Sequence, residues 1–274
     1  MKVLLLGSTG LIGRQILREA SAEFEFMVPN SQELNLKHDI SSKLKKYRAD
    51  ALIFAAQDRN YSSQDVNGDD LMRINAGSLQ DIQKNLKDTG IKKIIYLSSG
   101  GIYKSKTSLL NEKSAIQDYE TMGPYFKSKL TAENILKGME SESDISILRL
   151  FTTYGPNANP ISLMPRLESL VYERKLITIA KNEGDLLRPI HGCEVARVIL
   201  ADLKRNGSAI INVGGPEVIS IKQLALRIAE KLKIEPIFGE NDEMPVVIAP
   251  DNLLLENTLY KPIIEFNGSW RQEH

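Results

Sequence analysis

Tyr125 and Lys129 stand four residues apart in the run PYFKSKLTAENIL, whose apolar spacing predicts a helix that begins after Gly123 and Pro124. That spacing places both side chains on one helix face. A tyrosine hydroxyl is a poor base at neutral pH, but positive charge nearby stabilises its phenolate form. The pair could therefore carry a proton to or from an oxygen of a bound molecule.

Two serines, Ser98 and Ser99, end the apolar run IIYLSS, which predicts a strand. Open α/β sheets bind their ligands at the carboxyl ends of such strands. We expect Ser99 to give the reacting oxygen its second hydrogen bond, with Ser98 as the less favoured neighbour.

A glycine-rich turn, GSTGLIG, follows the first predicted strand and precedes an amphipathic run. Gly7 allows the tight turn, Gly10 lets the backbone approach a pyrophosphate, and Gly13 allows close packing of the helix on the sheet. The helix N-terminus adds unpaired N–H groups for phosphate. The loop is predicted to bind a dinucleotide, although a plain strand-to-helix turn is the alternative; its residues are Gly7, Ser8, Thr9, Gly10, Leu11, Ile12 and Gly13.

The choice between NAD and NADP depends on the end of the second strand, where a carboxylate binds ribose hydroxyls and an arginine pairs with a 2′-phosphate. This chain has Val28-Pro29-Asn30-Ser31 there, which is neither. Arg14 could reach a 2′-phosphate or could be a solvated surface residue. The preference stays open, with a slight tilt to NADP.

The elements that must position these residues form an alternating pattern. Apolar runs at 3–6, 24–28, 51–55, 94–97 and 145–150 predict strands, with amphipathic helices between them. The runs are apolar throughout, which is typical of parallel strands covered by helices on both faces. After residue 156 the pattern changes to a helix near 163–171, a strand near 176–179, and helices at 194–203 and 220–232, the last with Ser220 as N-cap. The fold class is therefore α/β: a Rossmann-type doubly wound parallel sheet over residues 1–156, with a smaller C-terminal substrate-binding lobe over 157–274.

Composition excludes several classes of partner. Lys plus Arg and Asp plus Glu both total 35, so the net charge is zero and no basic surface for nucleic acid is indicated. The sequence shows no apolar run of membrane-spanning length and no signal-peptide pattern, and the single cysteine, Cys193, cannot form an internal disulfide. We expect a cytoplasmic protein that binds a small molecule, without nucleic acid, membrane or metal.

Together these motifs resemble the extended short-chain dehydrogenase/reductase family, in particular its NAD-dependent epimerase/dehydratase group. GSTGLIG resembles the family's G-x-x-G-x-x-G, and LSSGGIY and YFKSK resemble its catalytic segments. The likeness implies that Ser99, Tyr125 and Lys129 are catalytic and that Ser99 and Gly100 lie beside the substrate.

The resemblance also implies roles for residues outside these motifs. Ala55-Ala56 would be the alanine pair after a central strand, Asn75 the structural asparagine, and Asn35-Leu36 the flank of the adenine. With Tyr125 and Lys129 these residues complete the expected cofactor site. Arg188, in LRPIH, would hold the diphosphate of a nucleotide, a task that suits its planar fork, although a surface ion pair is the alternative. A homodimer through the helices at 69–87 and 124–138 is a further expectation from the family.

The run QELNL also resembles GDP-fucose synthases, but two departures disfavour their chemistry. Those enzymes carry a cysteine after the catalytic serine and a histidine after YGP for C3/C5 epimerisation, whereas this chain has Gly100 and the histidine-free NANPISLMP. The family's dehydratases have an Asp-Glu pair where Gly100-Gly101 stands. Thr152 also replaces a common asparagine.

The expected function is therefore redox at C4 of a nucleotide-linked hexose. Because the ribose-binding carboxylate is missing, a 4-keto-sugar reductase that uses NADPH is the first expectation. A nucleotide-sugar 4-epimerase with bound NAD is the alternative, since it needs the same groups. A non-catalytic NAD(P)-sensing Rossmann protein is the alternative from another class.

Overall fold

The computed structural model describes residues 1–58, 61, 67–104 and 107–271. Six parallel strands form its central sheet. They are β1 (Lys2–Leu6), β2 (Glu25–Met27), β3 (Ala51–Phe54), β4 (Lys93–Ser99), β5 (Asp144–Leu150) and β10 (Ala209–Val213). The strand order is β2-β1-β3-β4-β5-β10, so the chain changes direction across the sheet between β1 and β3. That switch point is where open α/β sheets bind ligands.

Helices cover both faces of this sheet, as the apolar strands predict. The helices of this half are α1 (Leu11–Glu19), α2 (Ser41–Leu44), α3 (Gly68–Met72), α4 (Ser78–Thr89), α5 (Pro124–Lys137), α7 (Gly192–Asp202) and α9 (Leu253–Thr258). Successive residues of β1 point to opposite faces: Leu4 and Leu6 pack with α4 and α5, and Val3 and Leu5 pack with α1 and α7. The Rossmann-type α/β fold is therefore confirmed.

The smaller lobe has its own apolar core between two helices, α6 (Leu163–Tyr172) and α8 (Ile221–Leu232). Its short strands are β6 (Thr153–Tyr154), β7 (Leu176–Ile179), β8 (Leu186–Leu187), β9 (Ile190–His191), β11 (Ile219–Ser220), β12 (Ile237–Glu240) and β13 (Val247–Ile248). Ser220 caps α8 in a capping box with Gln223, as its position in the sequence predicts.

The predicted boundary at residue 156 does not divide the structure. Helix α7 and strand β10 lie beyond that boundary, yet Val195, Ile199 and Ile211 pack in the core of the Rossmann half. The chain enters the smaller lobe after β5 and returns to complete the sheet. A division by sequence position alone misses this return, because the pattern of α7 and β10 is the same whichever lobe contains them.

Candidate active site

A cleft of about 1180 Å³ opens at the carboxyl ends of the central strands. One end is lined by the glycine turn after β1 and by Ala55 and Ala56 after β3. Ser99, Tyr125 and Lys129 line its middle, and residues 157–163 with Ile248 line the end formed by the smaller lobe. The sheet thus brings the cofactor motif and the catalytic motif to one cleft.

The glycine turn has the geometry of a phosphate-binding loop. Gly7 has φ +93°, and a Cβ on it would lie 2.5 Å from the backbone of Ala55 and Ala56, so the alanine pair packs directly on the turn. A Cβ on Gly13 would lie 2.2 Å from the carbonyl oxygen of Gly7, which explains the close approach of α1. A Cβ on Gly10 would meet only the carbonyl oxygen of Gly7, at 3.5 Å, and the start of α1 has no side-chain cap. Its N–H groups remain available for an anion.

Ser99 and Tyr125 face each other in the middle of the cleft, close enough for their hydroxyl groups to interact. Ser99 Oγ also accepts a hydrogen bond from the backbone N–H of Gly101 at 3.1 Å. Burial raises the pKa of Tyr125 above its usual value, the neighbouring Tyr61 adds to this rise, and the Ser99 hydrogen bond opposes it. Tyr125 therefore needs added positive charge before it can act as a base.

Lys129 lies below Tyr125, with its Nζ atom 5.7 Å from the centre of the tyrosine ring. Its ammonium donates to the carbonyl oxygen of Leu97 at 2.9 Å and to Asn75 Oδ1 at 3.2 Å. Asn75 lies in a π-helical turn, Arg73–Gly77, and also donates to Ser128 Oγ at 2.9 Å. Burial lowers the pKa of Lys129 to about 7, and the charge of Glu133 opposes this shift.

Ser98 is engaged elsewhere, which leaves Ser99 as the serine that faces Tyr125. Ser98 Oγ donates to Glu133 Oε1 at 2.6 Å, and Glu133 forms a buried bidentate ion pair with Arg149 at 3.0 and 2.7 Å. Arg149 also donates to the hydroxyl of Tyr103 at 2.6 Å, and this hydroxyl donates to Asn212 at 2.8 Å. The network ties α5 to β4, β5 and β10 beneath the catalytic groups.

The structure brings most of the sequence-predicted site residues to the cleft. Those that line it are Gly7, Thr9, Gly10, Leu11, Ile12, Arg14, Ala55, Ala56, Ser99, Tyr125 and Lys129. Asn75 lies behind the cleft as a partner of Lys129, and Gly13 is buried in the turn. Ser8, Asn35, Leu36 and Gly100 do not line the cleft; Ser8 and Gly100 adjoin lining residues in the chain.

Arg188 is placed differently from the expectation for a diphosphate-binding residue. Its guanidinium donates to the backbone carbonyl oxygens of Gly215, Pro250 and Pro216 at 2.7, 3.0 and 3.3 Å, and lies 3.6 Å from Glu256. It is not among the residues that line the cleft. The side chain holds loops that connect the two lobes, and its donors already have acceptors within the protein.

Three aromatic residues of the cleft were not predicted from the sequence, and one of them is Tyr61, whose ring centre lies 4.8 Å from that of Tyr125. Phe126 follows the catalytic tyrosine and Phe151 follows β5, and both line the cleft. A phenylalanine in a helix or after a strand is usually a core residue, so the sequence carries no signal for either one. Ile248 comes from a distant part of the chain and is found only through the fold.

The described residues fit a dinucleotide. The uncapped helix start and the position of Gly10 in the cleft lining suit a pyrophosphate, and Lys129 and Tyr125 line the same cleft. Arg14 Nε donates to the carbonyl oxygen of Thr9 at 2.9 Å, which places its side chain along the turn. The fold and this serine, tyrosine and lysine set together define an enzyme of the extended short-chain dehydrogenase/reductase type.

Comparisons with known proteins agree with that class. The profile of the NAD dependent epimerase/dehydratase family matches residues 3–214, and the chain belongs to this family. A curated relative, the UDP-glucuronate 4-epimerase of Thermodesulfobacterium geofontis, is 32% identical over 154 residues, which are 54% of this chain and 46% of the relative. The matched part of this chain thus spans less than half the length of that relative.

Solved structures share the fold over nearly the whole chain. RMD from Pseudomonas aeruginosa in complex with NADPH superposes with a TM-score of 0.82 at 17% identity, covering 98% of this chain and 96% of that one. The UDP-glucose 4-epimerase of Thermus thermophilus in complex with NAD has a TM-score of 0.76 at 19% identity, covering 99% and 97%. At such identities the likeness establishes the fold. Within the described residues, no helix is long and apolar enough to cross a membrane.

Proposed function

We propose that this protein is a nucleotide-sugar 4-epimerase that works with bound NAD. The observation that carries the proposal is the contact of Ser99 with Tyr125 above the buried Lys129, in a cleft that also contains the glycine turn. The UDP-glucuronate 4-epimerase relative supports this choice over the reductase that the sequence favoured. The sequence offers neither the acid–base pair of a dehydratase nor the cysteine and histidine of a C3/C5 epimerase.

In this reaction NAD, when bound, supplies the acceptor and later the donor of the hydride at C4. Tyr125 takes the proton of the C4 hydroxyl, and returns a proton to the oxygen after the sugar has turned. Ser99 donates a hydrogen bond that holds this oxygen beside Tyr125. Protonated Lys129 stabilises the phenolate form of Tyr125, because an opposite charge nearby lowers a phenol's pKa. Asn75 and the carbonyl of Leu97 hold the lysine in place.

A second candidate is a 4-keto-sugar reductase that uses NADPH. Asn30, rather than a carboxylate, follows β2, and the NADPH complex of RMD shares the fold. Both candidates use the same proton path, and they differ in whether the reduced nicotinamide is consumed.

Three expectations from the sequence stay predictions: that Arg14 contacts the cofactor, that the protein is cytoplasmic, and that it forms a homodimer. Helix α4 belongs to one of the two helical segments expected at the dimer interface. Its exposed side chains are polar, and they include Gln80, Gln83, Lys84 and Lys87.

The test begins with the protein as purified. We expect acid extraction to release NAD, and UDP-glucose to be converted to its 4-epimer, seen by NMR, without added cofactor. Tyr125→Phe should lower kcat by about 10³-fold while the bound NAD is retained, because only the proton-transfer group is lost. Stoichiometric consumption of NADPH with a 4-keto sugar, without epimerisation, would instead support the reductase. An unchanged rate in Tyr125→Phe would contradict the role of Tyr125 in both candidates, whereas binding of NAD(P) without turnover of any sugar would favour the sensor.

A further inference from the structure

Two phenyl rings occupy the space beside the glycines that follow Ser99. A Cβ on Gly101 would lie 2.3 Å from the ring of Phe126, and one on Gly100 would lie 2.4 Å from the ring of Phe151. Neither glycine has the left-handed backbone conformation that favours this residue. Glycine is needed at these positions because the rings fill the space, and not because of the turn.

These rings lie next to the reacting groups. The ring centres of Phe126 and Tyr125 are 5.2 Å apart, and the N–H of Gly101 donates to the Ser99 hydroxyl. Phe126, Phe151 and Ile248 line the same cleft. We call these three residues the apolar wall. A sugar with its reacting oxygen at Tyr125 and Ser99 must turn a neighbouring ring carbon toward this wall.

Cationic partners are lacking on this side of the cleft. Among the described lining residues, Arg14 and Lys129 are the cations; Arg14 is held at Thr9 by the cofactor turn, and Lys129 donates to Asn75 and Leu97. Glycines 100 and 101 also carry no hydroxyl that could bind a carboxylate. Other polar groups of the cleft, such as Thr152, Thr153 and Ser162, are uncharged, so a carboxylate placed against the phenyl rings would lose its hydration without gaining a cationic partner.

We propose that the apolar wall selects nucleotide sugars that carry a methyl group on the carbon next to the reacting one, namely 6-deoxyhexoses, and rejects hexuronates. This inference rests on the proposed function. On this inference the chain differs from its UDP-glucuronate 4-epimerase relative in the sugar that it prefers.

The test compares three sugars on one nucleotide: UDP-6-deoxyglucose, UDP-glucose and UDP-glucuronate, which differ only at C6. With the holoenzyme we expect kcat/KM for the 6-deoxy sugar to exceed that for the glucose by about tenfold, and that for the glucuronate by a larger factor. The same three sugars are tested on dTDP and GDP, so that nucleotide preference cancels within each series.

Variants of the wall provide the second measurement. Phe126→Ser should lower the preference for the 6-deoxy sugar over the glucuronate by about tenfold or more, because the ring is replaced by a hydroxyl. The double variant Gly101→Ser with Phe126→Ala also replaces the ring by a hydroxyl, because the serine fills space that the ring has left. It should lower the preference in the same way as Phe126→Ser. Tyr172→Ser, at an aromatic residue 69% exposed on the smaller lobe, is the matched control and should leave the preference unchanged.

The outcomes separate the inference from the proposed function. Turnover of the glucuronate equal to or faster than that of the 6-deoxy sugar in wild type overturns the inference and leaves the epimerase in place. Failure of every sugar in every series to react overturns the proposed function and the inference with it. An unchanged preference in a folded Phe126→Ser protein also overturns the role of the wall.

Discussion

Lys129 shows how strongly the surroundings of one residue set its chemistry. Its side chain is 3% exposed, so its charged form has lost the hydration that an unfolded chain would give it. Two hydrogen bonds replace part of that hydration: the ammonium donates to the backbone carbonyl oxygen of Leu97 and to the side-chain amide oxygen of Asn75. A pKa of about 7 means that a modest change near the lysine decides its charge.

The low pKa predicts how the stability of the cofactor-free protein depends on pH. Between the folded pKa of about 7 and the ordinary value of 10.5, the unfolded chain binds more protons than the folded protein at this site. Stability from this group therefore rises with pH across that window, by about 2 kcal/mol between pH 7 and 9. Lys129→Met removes the effect, so the stability of wild type relative to the variant should rise by that amount in urea titrations.

The difference between the two proteins is the informative quantity, because other groups titrate equally in both. A constant difference between pH 7 and 9 would show that Lys129 keeps its ordinary pKa. Lys127 lies two residues earlier on the same helix and is only half-buried. Lys127→Met is therefore the control, and it should not change the pH dependence.

At the scale of elements, α5 is held to the sheet by charge as well as by apolar packing. Lys129 and Glu133 are four residues apart on the helix, and Glu133 reaches Ser98 of β4 and Arg149 of β5. Both members of the ion pair are buried, with 0% and 3% exposure. The pair sets how the helix that carries Tyr125 lies on the strand that carries Ser99.

This burial predicts strong coupling between Glu133 and Arg149. Removing either partner leaves a buried charge unpaired, and Glu133→Leu or Arg149→Leu should each cost about 3–5 kcal/mol. The double variant should cost much less than the sum, with a coupling of about 2 kcal/mol or more in a urea-unfolding cycle. The exposed pair Glu173–Lys175 is the control, where the coupling should lie between about 0 and 1 kcal/mol. Equal coupling in the two cycles would contradict this account.

Some of these elements could be predicted from the sequence, and others could not. The strands β1, β3, β4 and β5 and the spacing of Tyr125 and Lys129 are local patterns, so periodicity finds them. The pairing of Gly101 with Phe126 is not local, because it depends on how α5 lies on the turn after β4. The π-helical turn at Asn75 could not be predicted from the sequence either, since the apolar pattern of this stretch indicates a helix but not one extra residue in one of its turns.

At the scale of the whole molecule, the two lobes are joined by the path of the chain. The chain leaves the sheet after β5, builds part of the smaller lobe, and returns through α7 and β10. The cleft lies where these segments meet, with Leu150 and Phe151 on one side and residues 157–163 on another. Its shape therefore depends on contacts that hold the late segments in place.

Arg188 makes several such contacts. Its substitution tests whether the side chain binds the substrate or stabilises the fold. The side chain is 11% exposed, and it joins the loop after β10, at Gly215 and Pro216, to Pro250 ahead of α9. Arg188→Met keeps the apolar stem but leaves these carbonyl oxygens without donors, so we expect a loss of about 2–4 kcal/mol in unfolding free energy. Because Arg188 lies outside the cleft lining, KM for a nucleotide sugar should change by less than about threefold at temperatures where the variant is folded. A large rise in KM with unchanged stability would instead restore the diphosphate-binding role that the sequence suggested.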